Sequence, residues 1–434
     1  MKKWLVAMLF ALPTLALAED APTLDTGDTA WMMISAALVL LMTPAGLALF
    51  YAGMTRSKNV LNTYAMVLGA FVVAFIAWIA AGYSMAFGDG GSLQTFIGGF
   101  GNAFLNGIAW SDLSGTYPAY VFVVFQGTFA AITVAIASGS VIERIKFSTW
   151  LVFVFIWTIV VYGPITHMVW GGDGALLFDA GALDFAGGTV VHMNGGLAGL
   201  VLAFLVGKRN GYPKTAMKPM SVMLTALGAA LLWFGWYGFN GGSAFGANAV
   251  AGLAYLTTTL ATAFAAIVWL ALEWMIFKKP TLLGAASGVV AGLVAITPAA
   301  GFVDVTGAFI VGGVGSIVGF FGVAVMKKKL GYDDSLDAFG IHFLAGLWGA
   351  LATGLLALND QDLLWDGPLK AAGDRMGQFM VQVESVVVVG IFTLVGTVIV
   401  YYIASAITGG GRVDEETEQL GLDEAVHGEK VLNV

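Results

Sequence analysis

The chain has 434 residues, 59% apolar and 11% charged, with 59 glycines and a mean hydropathy of +0.86. That balance excludes a water-soluble domain and predicts an all-α polytopic membrane protein, built from apolar helices about 20 residues long. The formal net charge is −8, cysteine is absent, and no basic run exceeds Lys327-Lys328-Lys329. Disulfides, thiolate chemistry and Cys-ligated metals are therefore excluded, and no nucleic-acid partner is expected.

Residues 1–18 combine Lys2-Lys3, a short apolar core and Ala16-Leu17-Ala18, the pattern of a secretory signal peptide cleaved after Ala18. An uncleaved signal anchor is the alternative; both leave residues 19–29 as a short periplasmic N-terminus. Eleven apolar spans follow, at 30–54, 60–87, 117–141, 147–170, 187–207, 220–240, 251–277, 281–299, 305–326, 338–358 and 377–408. Inner loops of membrane proteins collect Lys and Arg. With the N-terminus outside, the inner loops hold Arg56 and Lys58, Arg144 and Lys146, Lys208 to Lys218, Lys278 and Lys279, and Lys327 to Lys329. The outer loops hold Lys370 and Arg375 against many aspartates, among them Asp89, Asp112, Asp173, Asp304 and Asp360. The expectation is eleven transmembrane helices in the inner membrane, N-terminus out and C-terminus cytoplasmic.

Three spans carry groups that stand out. The third has Phe125 and Phe129 in its outer half, one turn apart on one face. The fourth ends outside at Trp170, and the sixth ends outside at Phe239 to Ser243. These positions converge on an outer mouth, where aromatic faces and a hydroxyl suit a small cation. Taken singly, each ring also fits an aromatic belt at the lipid interface.

The fifth span opens with Asp184 and contains His192, ionisable groups that are costly inside a membrane and point to function. His192 begins the pattern H-x-x-x-G-L-x-G, and His342 begins a second copy in the tenth span. The fifth span starts outside and the tenth starts inside. Two five-helix halves of opposite orientation, 30–207 and 220–358, thus form an inverted repeat, with 377–408 as an extra eleventh helix. If both helices are straight, each histidine lies nearer its own entry face than the midplane. Each could also be a core histidine bonded to a carbonyl; a zinc site would lack its usual third ligand. Asp184 reads as a helix cap or as a group that meets the ion or its proton. Asp337 is expected to do similar work for the tenth span. Residues 409–434 form an acidic tail whose composition reads as solvated and partly disordered.

At these residues the sequence resembles the ammonium transporter family (Amt/Mep/Rh), its bacterial Amt members in particular. The motifs are FQGTF at 125–129, ERIKFS at 143–148, HMVWGG at 167–172, ALDFAGGTVVH at 182–192, GWYGFNGGSA at 235–244, LDAFGIH at 336–342 and GLDEAVHGE at 421–429. The outer loop Gly171 to Gly181 looks slightly longer than in the best-known bacterial member. The resemblance implies a homotrimer with one central pore per subunit and ammonium or ammonia as substrate. It also implies an external recruitment site of Trp170, Phe125, Phe129 and Ser243, and a stacked gate of Phe129 and Phe239. His192 and His342 would be paired histidines lining the pore, and Asp184 a buried acid organising the region above them. The tail would pack on the inner face and couple subunits, and a PII-type signal protein would dock there. No cofactor and no metal are implied. An ammonium sensor, or a neutral-solute channel, remains as an alternative. The first usually has an appended signalling domain, for which a tail of about 25 residues leaves no room; the second needs paired Asn-Pro-Ala motifs, which are missing. An enzyme is not expected, because there is no P-loop and Gly312-Gly313-Val314-Gly315 lies in a span.

Overall fold

The computed structural model describes residues 23–358 and 374–431. The expected signal peptide at 1–18, the first residues of the periplasmic N-terminus and most of the last outer loop lie outside the described residues. Eleven long helices follow one another: α1 Thr26–Met54, α2 Val60–Phe87, α3 Ala119–Ser138, α4 Phe147–Trp170, α5 Gly188–Val206, α6 Val222–Gly241, α7 Ala249–Phe277, α8 Leu282–Ile296, α9 Val305–Leu330, α10 Phe339–Leu356 and α11 Arg375–Ile407. Ten are long and apolar enough to cross a membrane. α8 has only 15 residues, and turns carry the chain on from it to Phe302. A two-strand hairpin, β1 Leu113–Ser114 with β2 Tyr117–Pro118, sits before α3.

Short polar side chains set many helix starts by accepting a bond from a free backbone N–H of the first turn. Asp25, Asn248, Thr281, Asp304 and Asp374 each do so within 2.7–3.0 Å. Asp184 and Asp334 do the same for α5 and α10, but from inside the protein, where both are almost fully buried. Asp334 Oδ2 accepts from Phe339 N at 2.9 Å and Oδ1 from Ala338 N at 3.2 Å. This corrects the expectation for Asp337. The chain turns left-handed at Asp337 (φ 62°), which sends its carboxylate out to Lys327 Nζ at 2.7 Å.

The two histidine helices meet at their first turns. A side chain at Gly346 would stand 3.2 Å from His192 Cβ, and one at Gly196 would stand 2.5 Å from Phe343 N. The first glycine of each copy, Gly196 and Gly346, therefore clears the approach of the opposite histidine helix, while Gly199 and Gly349 face Ser140 and Ala295. Both first turns are π-helical, over Gly188–Met193 and Phe339–Leu344. Such one-turn departures are frequent at functional sites. The two histidines meet, although each lies in the first turns of its own helix.

On the side expected to face inward, a buried ion network ties four loops together. Glu143 accepts from Thr55 Oγ1 at 2.8 Å and from Arg56 N and Nε at 2.9 and 2.7 Å, and pairs with Arg209 at 3.2 Å. Arg209 also pairs with Asp333 at 2.7 Å. Burial alone would push both carboxyls up; Arg209, joined by Arg56 at Glu143 and by Arg144 at Asp333, outweighs it and holds both below the usual carboxylate range. The tail lies against this platform as two short helices, α12 Glu415–Leu420 and α13 Leu422–His427. Asp423 accepts from Asn62 N at 2.8 Å, Asn59 accepts from Leu422 N at 2.8 Å, and Glu418 pairs with Arg412 at 2.7 Å. Composition, which reads this tail as solvated, does not count these specific partners.

Candidate functional site

At the end expected to face outward, α3, α4, α6 and the approach to α5 surround a cavity of about 280 Å³. Its wall is mostly aromatic, with Phe87, Phe122, Phe129, Trp170, Phe178, Phe185 and Phe245, joined by Gln126, Asp184 and Ser243. Phe122, Gln126 and Phe129 fall at i, i+4 and i+7 on α3, one face of the helix. Trp170 Nε1 donates to Asp184 O at 2.8 Å, so the indole N–H is tied and the ring presents its face. Ser243 Oγ donates to Phe239 O at 2.8 Å, leaving its lone pairs as acceptors. Phe125 is fully buried behind Phe129, ring centroids 4.8 Å apart, and lies outside the cavity wall.

Asp184 turns toward its own helix. Its Oδ1 accepts from Gly187 N (2.9 Å) and Gly188 N (2.5 Å), and its Oδ2 from Thr189 N (2.9 Å), Val190 N (3.0 Å) and Thr189 Oγ1 (2.5 Å). Five donors saturate the carboxylate. The tight loop around it requires φ 109° at Gly187, a conformation open to glycine.

Below the cavity the rings run in file. Phe129 and Phe239 stack at 4.1 Å with 16° between planes, closing the floor. His192 follows, 5.8 Å from Phe239 and stacked on Trp236 at 5.2 Å. Trp236 is held by Nε1 donating to Thr297 Oγ1 at 2.8 Å. His342 comes next: its Nδ1 is 3.3 Å from His192 Nδ1, and the rings lie 5.4 Å apart at 19°. One of these two nitrogens must carry a hydrogen and the other accept it. His192 Nε2 is buried with no partner among the described residues.

The structure therefore brings Phe129, Trp170, Ser243, Phe239, His192 and His342 into one column from outer cavity to core. It adds Gln126, Trp236 and Asp334, which sequence reasoning did not single out. For Asp334 a signal existed. Asp184, His192, Gly196, Leu197 and Gly199 recur as Asp334, His342, Gly346, Leu347 and Gly349, all displaced by the 150 residues that separate the histidines. Among the described residues, no group of three His, Asp or Glu side chains is placed to hold a metal ion.

Fold and site define a multi-pass helical membrane protein whose inverted halves meet at paired histidines beneath an aromatic mouth. Residues 30–432 match the model of the Ammonium Transporter Family, and the chain belongs to that family, one of transporters and not of enzymes. It is 46% identical to an ammonium transporter of Aquifex aeolicus over 432 residues, 98% of both chains, and 45% identical to one of Bacillus subtilis, covering 94% and 98%. Among solved structures it is similar to Saccharomyces cerevisiae Mep2, with a TM-score of 0.81, 33% identity and 91% of each chain covered. It is also similar to a sensor Amt protein, with a TM-score of 0.84, 27% identity and 92% and 98% covered.

Proposed function

We propose that this chain carries ammonium nitrogen inward across the cell's inner membrane. Stripping an isolated ion of water for a low-dielectric lumen costs tens of kcal/mol in the Born limit. A cation–π contact returns about 2 kcal/mol. The outer cavity can therefore gather and partly desolvate ammonium, but rings alone cannot carry its charge past the stacked floor. Neutral ammonia meets no such barrier.

In this reading ammonium binds against Trp170, Ser243 and Phe129, with Phe125 packed behind Phe129, and gives up one proton at the Phe129/Phe239 gate. Ammonia then passes His192 and His342, whose nitrogens donate to it and accept from it in file. The proton enters the pair at His192 Nε2. The shared hydrogen crosses between the two Nδ1 atoms, and His342 releases a proton inward, so one charge moves per ammonia. Asp184 holds the outer start of α5 in register for this path. The observation that carries the reading is the 3.3 Å approach of His192 Nδ1 to His342 Nδ1 directly below the stacked rings.

The test is ammonium-evoked current from proteoliposomes on a supported membrane. His192→Ala with His342→Ala should abolish it; an unchanged current in the double variant rejects the relay. A sensing role on the same scaffold draws support from the likeness to the sensor Amt protein, and it would give ammonium binding by the wild type without current. We further propose a homotrimer, N-terminus outside and tail cytoplasmic, with a PII-type signal protein docking on the inner face where the tail is ordered.

A further inference from the structure

We infer that Gln126 is a direct ammonium ligand in the outer cavity, supplying through its side-chain carbonyl the second oxygen that recognises the ion; this rests on the transport reading above. Gln126 lines the cavity and is 3% exposed, and its Oε1 is buried with no hydrogen-bond partner among the described residues. A buried amide oxygen without a partner is costly, and such groups in folded proteins are satisfied by something. The neighbouring α3 hydroxyls show the contrast, since Thr128 Oγ1 and Thr133 Oγ1 both bond to carbonyls of their own helix.

What satisfies Gln126 follows from the rest of the wall. Ammonium brings four N–H donors and needs acceptors. The Asp184 carboxylate is the obvious one, but its oxygens are taken up by Gly187, Gly188, Thr189 and Val190. The Trp170 N–H is a donor and already tied to Asp184 O. That leaves Ser243 Oγ, whose own hydrogen is committed to Phe239 O, and Gln126 Oε1. Two neutral oxygens take two of the four donors, and ring faces take the others by cation–π attraction. A terminal amide turns about a soft torsion, so bringing the oxygen onto the ion needs no backbone movement. Both oxygens being neutral also suits a site that must release its ion: a carboxylate in this place would hold the charge where it is captured.

The experiment is the half-saturation of ammonium chloride-evoked current in proteoliposomes of the full chain. Gln126→Leu removes the acceptor at similar volume; it should raise the half-saturating concentration at least about tenfold and leave the saturating current within about twofold of wild type. Gln126→Glu keeps an acceptor and adds charge; it should bring half-saturation back to or below the wild-type value. If Gln126→Leu fails to purify as a stable protein, Gln126→Met reads the same quantity. A half-saturation within about twofold of wild type in Gln126→Leu or Gln126→Met overturns the inference, as does a Gln126→Glu variant as weak as either. Wild-type liposomes that give no ammonium current overturn the transport reading instead, a result separate from any shift among the Gln126 variants.

Discussion

The two ends of the histidine column, Asp184 above and Asp334 below, occupy equivalent places in the two halves and have different surroundings. Asp184 is saturated by five donors from its own loop, and the wall beside it is aromatic. Asp334 caps α10 with two backbone bonds, and burial pushes its carboxyl up to about 6 while the Lys327 charge opposes. Around it lie Arg209, Asp333, Lys327 and Asp337 in ion pairs. The repeat thus dictates the centre, where two helices cross on small residues, and leaves the mouths free to differ. The outer mouth is lined mostly by aromatic rings. The inner mouth is built as a charged platform that holds loops and tail.

The largest effect that would break this comparison lies in the inner platform. Arg209→Met leaves Glu143 and Asp333 buried without their shared counter-charge and should destabilise the detergent-solubilised protein by about 3–5 kcal/mol, read as a fall in unfolding temperature. Acid tests the same network. Its carboxyls titrate lower in the folded state than in the unfolded chain, so their contribution is fully present above the unfolded values, about 4. It is lost as pH falls through the lower folded values. The stability advantage of wild type over Arg209→Met should hold from pH 8 to 5 and shrink below about 4; an advantage that does not change with pH would argue against the network as its source.

Next come the two caps. Asp184→Ala strands five donors and Asp334→Ala strands two, so the outer substitution should cost more, by about 1–3 kcal/mol. Thermal unfolding of both variants checks the order, and equal losses would mean the two sites are balanced by groups other than these bonds. The smallest effect is expected at the tail. Asp423→Ala removes one capping bond to α2, worth about 1 kcal/mol. It should make residues 412–431 sensitive to limited proteolysis and weaken capture of the proposed PII-type partner, with the ammonium current kept. An unchanged digestion pattern would show that Asn59 and Glu418 suffice to hold the tail.

Much of this molecule could be read from its residues. Helix number came from span length, because an apolar run reports the solvent a segment meets. The repeat was visible as His192 and His342 with matching glycines, since a close helix crossing leaves a fixed trace in sequence. Local chemistry also marked Asp184 as a cap candidate, through the free backbone donors that follow it. The 150-residue offset from Asp184 pointed to Asp334 as the cap of α10. The tertiary structure alone decided that the two imidazoles touch, and that Phe125 stands behind the wall while Gln126 lines the cavity. These facts depend on where helices distant in sequence begin and how they rotate against each other. Such choices are settled by packing of the whole bundle, to which no single segment has access.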